Sequence, residues 1–488
     1  MSARSVAGQG GMVAAAPGAD ARATGTVRIA LLCTDAWSVR NVVLAGTVEE
    51  LTRLGIDVAV VAPPTMATGC ASAPLVRPAR VRVMRGKSLF DALFAASFAR
   101  HFGLRSHRIF DRWRQAGQPA FRRGLRALVG AVSVLGGTRS ALEWQRRQAE
   151  RMTRRCWDIG PVREQLKALQ PDLLITTSSV VWDEQPYVLA ARDLKIPVLG
   201  CILSFDNLTS RGALPEYDDY LVWNERMRDQ VLRIYGARAI GRVTITGSPQ
   251  FDFHVREAYR IPRAALLSDL GLPLEARFVL YAANAAQFTP TEPSLVRAFA
   301  NRCATTPSLA DHWIIVRLHP LDDWGRWQDV IGACDRVRIS VPWSRDAMSA
   351  DDQRLLVGSV READVCINMA STMSLDAAAV DTPVVCVGFA LPPGSAEDQF
   401  CSDVYSTDHF APIIESAGVR LARSLDELVG LAAGYAASPD QDRDARRRLV
   451  QTEIGVVDGA AAGRVAAAIA GIARAAASRG GRGKTAAP

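Results

Sequence analysis

Short, nearly continuous apolar runs alternate along this chain with segments whose apolar residues recur at helical spacing. Residues 28–33 (RIALLC) form the first run. Residues 41–54 then place Leu44, Val48, Leu51 and Leu54 on one helical stripe, Gly55 stops it, and 56–63 (IDVAVVAP) is the next run. Strand, helix, strand is a βαβ unit, and strands that read as unbroken apolar runs belong to parallel sheets covered on both faces. After an interruption the alternation returns, with strands predicted at 171–179, 196–204, 218–224 and 242–249 and helices at 185–194 and 226–235. A second series follows, with strands at 277–284, 312–320, 337–343, 364–371 and 382–389, and helices at 294–303, 351–363 and up to Val380. A charged helix at 256–269 lies between the series, and Ala and Ile at helical spacing predict a long helix over 459–477.

The pattern predicts an α/β protein with two Rossmann-like, doubly wound domains facing a cleft. The first spans 27–250 with an insertion at 84–158, a linker spans 251–274, and the second domain spans 275–452. The terminal helix, assigned to 453–475, follows, and tails at 1–26 and 476–488 are expected to be disordered. Ligands of such sheets bind at the carboxyl ends of the strands.

Composition changes this picture in one place. The 488 residues are 49% hydrophobic and 22% charged. That balance excludes a disordered or fibrous chain. A bilayer is spanned by about 18–20 apolar residues in a row. No apolar run approaches that length, and without an apolar stretch ahead of a cleavage site near the N-terminus no secretory signal is expected. Nine cysteines (Cys33, Cys70, Cys156, Cys201, Cys303, Cys334, Cys366, Cys386 and Cys401) form no C-x-x-C pair, so reduced thiols in a cytoplasmic protein are expected. The net charge of +8 is uneven. Residues 84–158 hold sixteen Lys and Arg against five acids, a net of +11, which leaves −3 for the rest. Basic charge interleaved with Phe, Leu and Trp suits the interface of an anionic membrane. A helical insertion packed on the first domain, its arginines solvated or pairing with an anionic acceptor, is the favoured alternative. No nucleic-acid module accompanies it, so no nucleic-acid partner is expected.

Gly86-Lys87-Ser88 and Gly483-Lys484-Thr485 mimic the end of a phosphate loop, but Val81 and Ser478 stand where its first glycine is required. No dinucleotide fingerprint, serine-hydrolase elbow or metal-ligand spacing is present, so no cofactor and no metal are expected.

Three polar clusters follow predicted strands. Ser371 and Thr372 open a helix where backbone amides suit a pyrophosphate, with Asp376 one turn on in reach of a ribose. The alternative makes Ser371 an ordinary helix cap and Asp376 a solvated helix residue. Arg317-Leu318-His319-Pro320 ends another strand, and the following proline keeps His319 extended at the cleft edge, where its ring can meet phosphate oxygens. In SFDNLTSRG (204–212), Asp206 is a candidate general base, with Asn207, Thr209 and Arg211 beside it on the acceptor side. The alternative is a turn in which Asp206 and Asn207 cap their own backbone. Asp35, after the first strand, is a weaker candidate for the base.

Taken together, GSPQFD (247–252), RLHP, and A-S-T-x-x-x-D-A-A followed by T-P-V-V resemble GT-B fold glycosyltransferases. Within that fold they are most similar to the CDP-glycerol glycerophosphotransferase and surface-polysaccharide transferase group; nucleotide-sugar 2-epimerases are a more distant relation. The resemblance implies that His319, Ser371, Thr372 and Asp376 hold the donor's phosphates and ribose, with Arg317 beside them. It implies a hinge at Gly247 and a closing helix that crosses back to the first domain. Two departures stand out. SFDNLTSRG replaces a His-Gly-Thr acceptor loop, leaving Asp206 as the base, and Asn284 with Gln287 occupies the loop where an Arg is usual. Both point away from CDP-glycerol and towards a sugar nucleotide. The implied protein is a cytoplasmic, metal-independent transferase that passes a sugar to a glycan or lipid-linked acceptor, and the basic stretch adds peripheral contact with the inner face of a membrane as an option. A glycerophosphotransferase, a 2-epimerase-like enzyme and a binding scaffold without turnover are the alternatives.

Overall fold

The computed structural model describes residues 26–66, 74–80, 87–116, 119–177, 184–210, 216–239, 241–341 and 349–484. Two parallel sheets dominate it. The first contains β1 (Val27–Leu32), β2 (Ile56–Val61), β3 (Leu75–Val76), β4 (Leu173–Thr176), β5 (Val198–Cys201), β6 (Asp219–Val222) and β7 (Val243–Ile245), in the order β3-β2-β1-β4-β5-β6-β7. The second contains β8 (Arg277–Ala282), β9 (His312–Arg317), β10 (Val337–Ser340), β11 (Val365–Asn368), β12 (Val384–Val387) and β13 (Arg420–Ala422), in the order β10-β9-β8-β11-β12-β13. The apolar runs become strands because helices bury both faces. In β1, Ile29 and Leu31, with Cys33 just beyond, face one cluster with the terminal helix, while Ala30 and Leu32 face another.

The joint, the cleft and the insertion are built on α1 (Thr47–Arg53), α2 (Lys87–His101), α3 (Arg105–Ala116), α4 (Ala120–Val132), α5 (Arg139–Cys156), α6 (Ala350–Glu362), α7 (Met373–Ala379), α8 (Ala396–Asp403) and α9 (Ala461–Lys484). Helix α9 returns to the first sheet, where Val465, Ala466, Ile469 and Ala473 pack with Ile29, Leu31, Val48 and Leu51. It runs on through residues expected to form a disordered tail; the tail at 1–26 lies, but for Thr26, outside the described residues.

Two predicted helices are broken. The helix over 41–54 is a short turn at Ala36–Ser38, a π-helical turn at Val39–Leu44, and then α1. Gly46 separates the last two at φ +91°, and Arg256 lies 3.0 Å from where its Cβ would stand. The charged helix over 256–269 splits at Pro262, which has no N–H to continue it, into Glu257–Tyr259 and Arg263–Asp269.

The basic insertion is helices α2 to α5, and it does not rest on the first domain alone. Helix α3 reaches the second domain: Trp113 stacks on Phe400 at 4.8 Å, and Arg112 pairs with Asp403 at 2.8 Å. Ser106 donates its N–H and hydroxyl to Asp408, each at 2.8 Å. Part of the positive charge is neutralised locally, by Arg146–Glu216 at 2.7 Å and Arg154–Asp193 at 2.6 Å. No described helix is long and apolar enough to cross a membrane. None of the described cysteines forms a disulfide, and most are buried.

Candidate functional site

Both sheets reverse their strand order once, at β1/β4 and at β8/β11. Crevices open at the carboxyl ends of strands at such points. The chain leaving β1 carries Thr34, Asp35 and Trp37; the chain leaving β9, one strand from the second reversal, carries His319. The rings of Trp37 and His319 meet across the cleft with centroids 6.3 Å apart. His319 Nδ1 accepts the Leu321 N–H at 3.1 Å, which leaves the neutral ring's proton on Nε2. Burial lowers the His319 pKa, with Asp322 acting against it, so the ring is neutral at pH 7 and offers one N–H donor.

Arg317, Ala282 and Asn368 stand side by side in register across β9, β8 and β11, so their side chains share one face. Arg317 is buried and its Nη2 lies 3.0 Å from both oxygens of Asp352 on α6, while its Nη1 has no partner among the described residues. Asn368 accepts from the Ser371 N–H at 3.2 Å and from Ser374 Oγ at 3.0 Å, while its Nδ2 has no such partner. Arg317 is therefore an ion-paired residue beneath the cleft, with its buried Nη1 amino group to spare.

The loop from β11 to α7 turns at Ala370, a non-glycine residue at φ +43°. Its N–H donates to the Tyr405 hydroxyl at 3.1 Å, and that hydroxyl donates to the Val387 carbonyl at 2.8 Å. Ser371 Oγ accepts the Met373 N–H at 3.3 Å. The capping alternative therefore describes this hydroxyl. Thr372 is exposed. Asn284 is used locally: its Oδ1 accepts the Ala285 N–H at 2.8 Å, and its own N–H donates to Glu292 at 3.0 Å. Glu292 is a residue that sequence patterns do not mark. It is buried, takes Thr289 Oγ1 at 3.0 Å and pairs with Arg326 at 3.3 Å, and burial pushes its carboxyl up to about 7.

Asp376 requires a correction. It is neither solvated nor presented to a ribose: it is 2% exposed, and its Oδ1 lies 2.8 Å from Nε2 of fully buried His254. His254 ends the turn Pro249–His254 of the interdomain joint, so Asp376 holds the second domain to that joint. Asp252 of the same turn accepts the Ala461 and Ala462 N–H groups at 3.2 and 2.9 Å, capping α9. Gly247 has φ +75°, and a Cβ there would lie 3.1 Å from Arg464 of α9. Two further bonds cross the joint from the π-helical turn: Arg40 Nε to Gln353 at 2.8 Å and Asn41 Nδ2 to Gln250 at 3.1 Å. A π turn at such a place is a common mark of functional segments.

On the acceptor side, Asp35 caps the turn Ala36–Ser38 by accepting the Ser38 N–H at 2.7 Å. Asp206 Oδ1 accepts from Ser204 Oγ and, at 3.4 Å, from Asn207 Nδ2; Asn207 Oδ1 accepts the Ser204 N–H at 3.1 Å. Asn207 thus caps the turn's backbone, while the Asp206 carboxylate bonds side chains of the same turn. Thr209 is buried and donates to the Asp206 carbonyl at 3.4 Å, and Arg211 lies outside the described residues. What no sequence pattern indicates is that this turn meets the second domain. Phe205 packs edge-on against His409 at 5.4 Å, and Phe110 of α3 stacks on the same ring at 6.2 Å. Burial lowers the His409 pKa, with Asp206 and Asp408 acting against it. Phe410 in turn meets Tyr405 at 5.3 Å, so the Asp206 turn and the Ala370 loop are linked through residues 405–410. A pocket of about 1040 Å³ opens beside this network, lined by Thr209, Trp223, Gly247, Asp408 and Arg464 among others. At the β1/β4 reversal, buried Glu184 accepts from Thr34 Oγ1 at 3.0 Å. Its place between a predicted strand and the helix at 185–194 is the one sequence signal that could have marked it. Among the described residues no group of His, Cys, Asp and Glu could hold a metal ion.

No protein-family model and no curated protein matches the chain. Solved structures do match. A putative UDP-N-acetylglucosamine 2-epimerase from Listeria monocytogenes aligns with a TM-score of 0.54 at 12% identity, over 91% of this chain and 96% of that one. The UDP-GlcNAc 2-epimerase from Neisseria meningitidis, solved bound to UDP-GlcNAc, gives 0.53 at 11%, over 91% and 99%. CalG4, the calicheamicin glycosyltransferase, gives 0.50 at 14%, over 92% and 98%. At these identities the likeness is one of fold: the chain has the two-domain GT-B architecture, with a closing helix that crosses back to its first domain.

Proposed function

We propose that this chain is a GT-B glycosyltransferase that moves a sugar from a nucleotide-activated donor to a hydroxyl acceptor in surface polysaccharide or glycolipid synthesis. The observation that carries the reading is the neutral His319 at the cleft, its Nδ1 occupied by Leu321 and its Nε2–H left for a ligand. A neutral donor in a partly buried cleft stabilises charge that develops on a departing nucleoside diphosphate. The exposed Thr372 hydroxyl on the Ala370 loop adds a second donor. Asp206 is the proposed base on the facing domain. As the acceptor oxygen bonds the anomeric carbon, the bond from that carbon to the diphosphate oxygen breaks. The acceptor proton passes to the Asp206 carboxylate. The pocket beside Thr209 suits the acceptor's approach, and no metal or cofactor enters the scheme. The acceptor is a glycan or is lipid-linked at the cytoplasmic face of a membrane.

Calorimetric titration with UDP, CDP and GDP tests the donor assignment. At least one is expected to bind, and His319→Ala is expected to weaken it; affinity for none of the three overturns the reading and leaves a scaffold. A second reading, a 2-epimerase-like enzyme, is favoured by the epimerase structures among the neighbours. The two part on one assay: a transferase releases nucleotide only when acceptor is present, whereas an epimerase interconverts the donor without one. Binding selective for CDP, with turnover of CDP-glycerol, would instead place the chain with the glycerophosphotransferases.

A further inference from the structure

Helix α4 is amphipathic in the opposite sense to a core-facing helix. Phe121, Leu125, Leu128 and Val132 recur at intervals of four, three and four, so they lie along one stripe. Such a stripe normally turns to the core. Here Phe121 is 80% exposed, Leu128 59% and Val132 38%, and Val134 in the next turn is 56% exposed. Only Leu125 of the stripe and Val129 beside it are partly buried, and polar groups also tie the helix to the protein. Arg126 pairs with Asp111 of α3, and Arg100 of α2 donates to the Gly130 carbonyl and to Ser133 Oγ, each at 3.3 Å. An apolar stripe left this exposed on a helix is the mark of a surface that meets something other than water.

The charge around it identifies the partner. The insertion carries a net +11, and its exposed Arg105, Arg123, Arg147 and Arg155 form no ion pair among the described residues. An apolar stripe too short to span, on a strongly cationic unit, complements the surface of an anionic bilayer. We propose that α4 is an interfacial anchor that lies along an anionic lipid surface with Phe121, Leu128 and Val132 at the acyl boundary and the insertion's arginines at the headgroups. The proposal deepens the membrane contact in the functional reading above and rests on that reading only for the acceptor's identity.

The test is co-sedimentation of the full chain with vesicles of phosphatidylcholine alone and of phosphatidylcholine containing about one-third phosphatidylglycerol. Sedimentation with the anionic vesicles only is expected. Phe121→Ser/Leu128→Ser should weaken it at least about tenfold, as expected from two lost apolar insertions. Arg123→Glu/Arg147→Glu should weaken it as well. Both pairs are exposed, and unchanged thermal melting will show that the variants fold. Three results overturn the proposal: no sedimentation with either vesicle, undiminished sedimentation of the Phe121/Leu128 variant, or a self-associated chain in vesicle-free sedimentation velocity that this variant dissociates, since a second copy then covers the stripe. Nucleotide affinity, measured on the same samples, separates failure of this proposal from failure of the donor assignment.

Discussion

His319 and Glu292 show how burial sets the chemistry of single residues here. For His319 burial favours the neutral ring, so its contribution as an Nε2–H donor is constant above the usual histidine pKa of about 6.5 and changes only in acid. His319→Ala is expected to lower kcat by about 10²-fold, the loss typical of one oxyanion-stabilising donor, with an unchanged melting curve. Steady-state kinetics beside circular dichroism will check both halves. Glu292 works on stability. Its folded pKa of about 7 lies above the unfolded value of about 4.5, so the native state holds this proton more tightly. The contribution is present below about pH 4.5 and is lost as pH rises through about 7. Glu292→Gln removes that slope. Its stability relative to the parent should therefore rise by about 3 kcal/mol between about pH 4.5 and 8, read from denaturant midpoints at both pH values.

Among the elements, the strands were legible because a strand covered on both faces is written in apolar residues throughout; β8, β9 and β12 lie inside their predicted runs. β3 and β13 were not, because Leu75–Val76 and Arg420–Ala422 are too short for any period to show. The split of the helix over 41–54 was hidden for another reason: its stripe is helical, but Arg256 from the joint bonds the Ala45 carbonyl and fills the space beside Gly46. The joint depends on two small features. Asp252→Ala removes both acceptors at the start of α9 and should cost about 1–2 kcal/mol, seen as a lowered melting temperature. Gly247→Ala imposes a left-handed conformation on a residue with a Cβ and crowds Arg464. A loss of about 1–2 kcal/mol is expected in the same measurement.

For the molecule as a whole, the basic insertion is the element whose meaning changed most. Its charge was visible as a number, yet its contacts divide it into two jobs. Helix α3 clasps the second domain through Trp113, Arg112 and Ser106, and α4 turns its apolar stripe outward. Releasing the clasp should loosen the second domain locally. In Arg112→Ala/Trp113→Ala, amide exchange within Ala396–Asp403 is expected to speed up while the core strands β8 and β9 stay protected, as hydrogen–deuterium exchange will show. Equal protection in both proteins would mean that the clasp contributes nothing to closure.

By itself, the sequence determined the two βαβ series, the parallel character of their sheets and the uneven charge. These follow from local periodicity and composition, which each segment carries without its neighbours. Tertiary structure alone decided that Asp376 is spent on His254, that the Asp206 turn sits beside His409, that His319 faces Trp37 in its neutral form, and that α4 faces outward. Each of those depends on which distant segment is brought alongside, and on the burial that follows. A side chain's partner and protonation state are set by that surrounding, whereas its place in a strand or helix is set by the residues next to it.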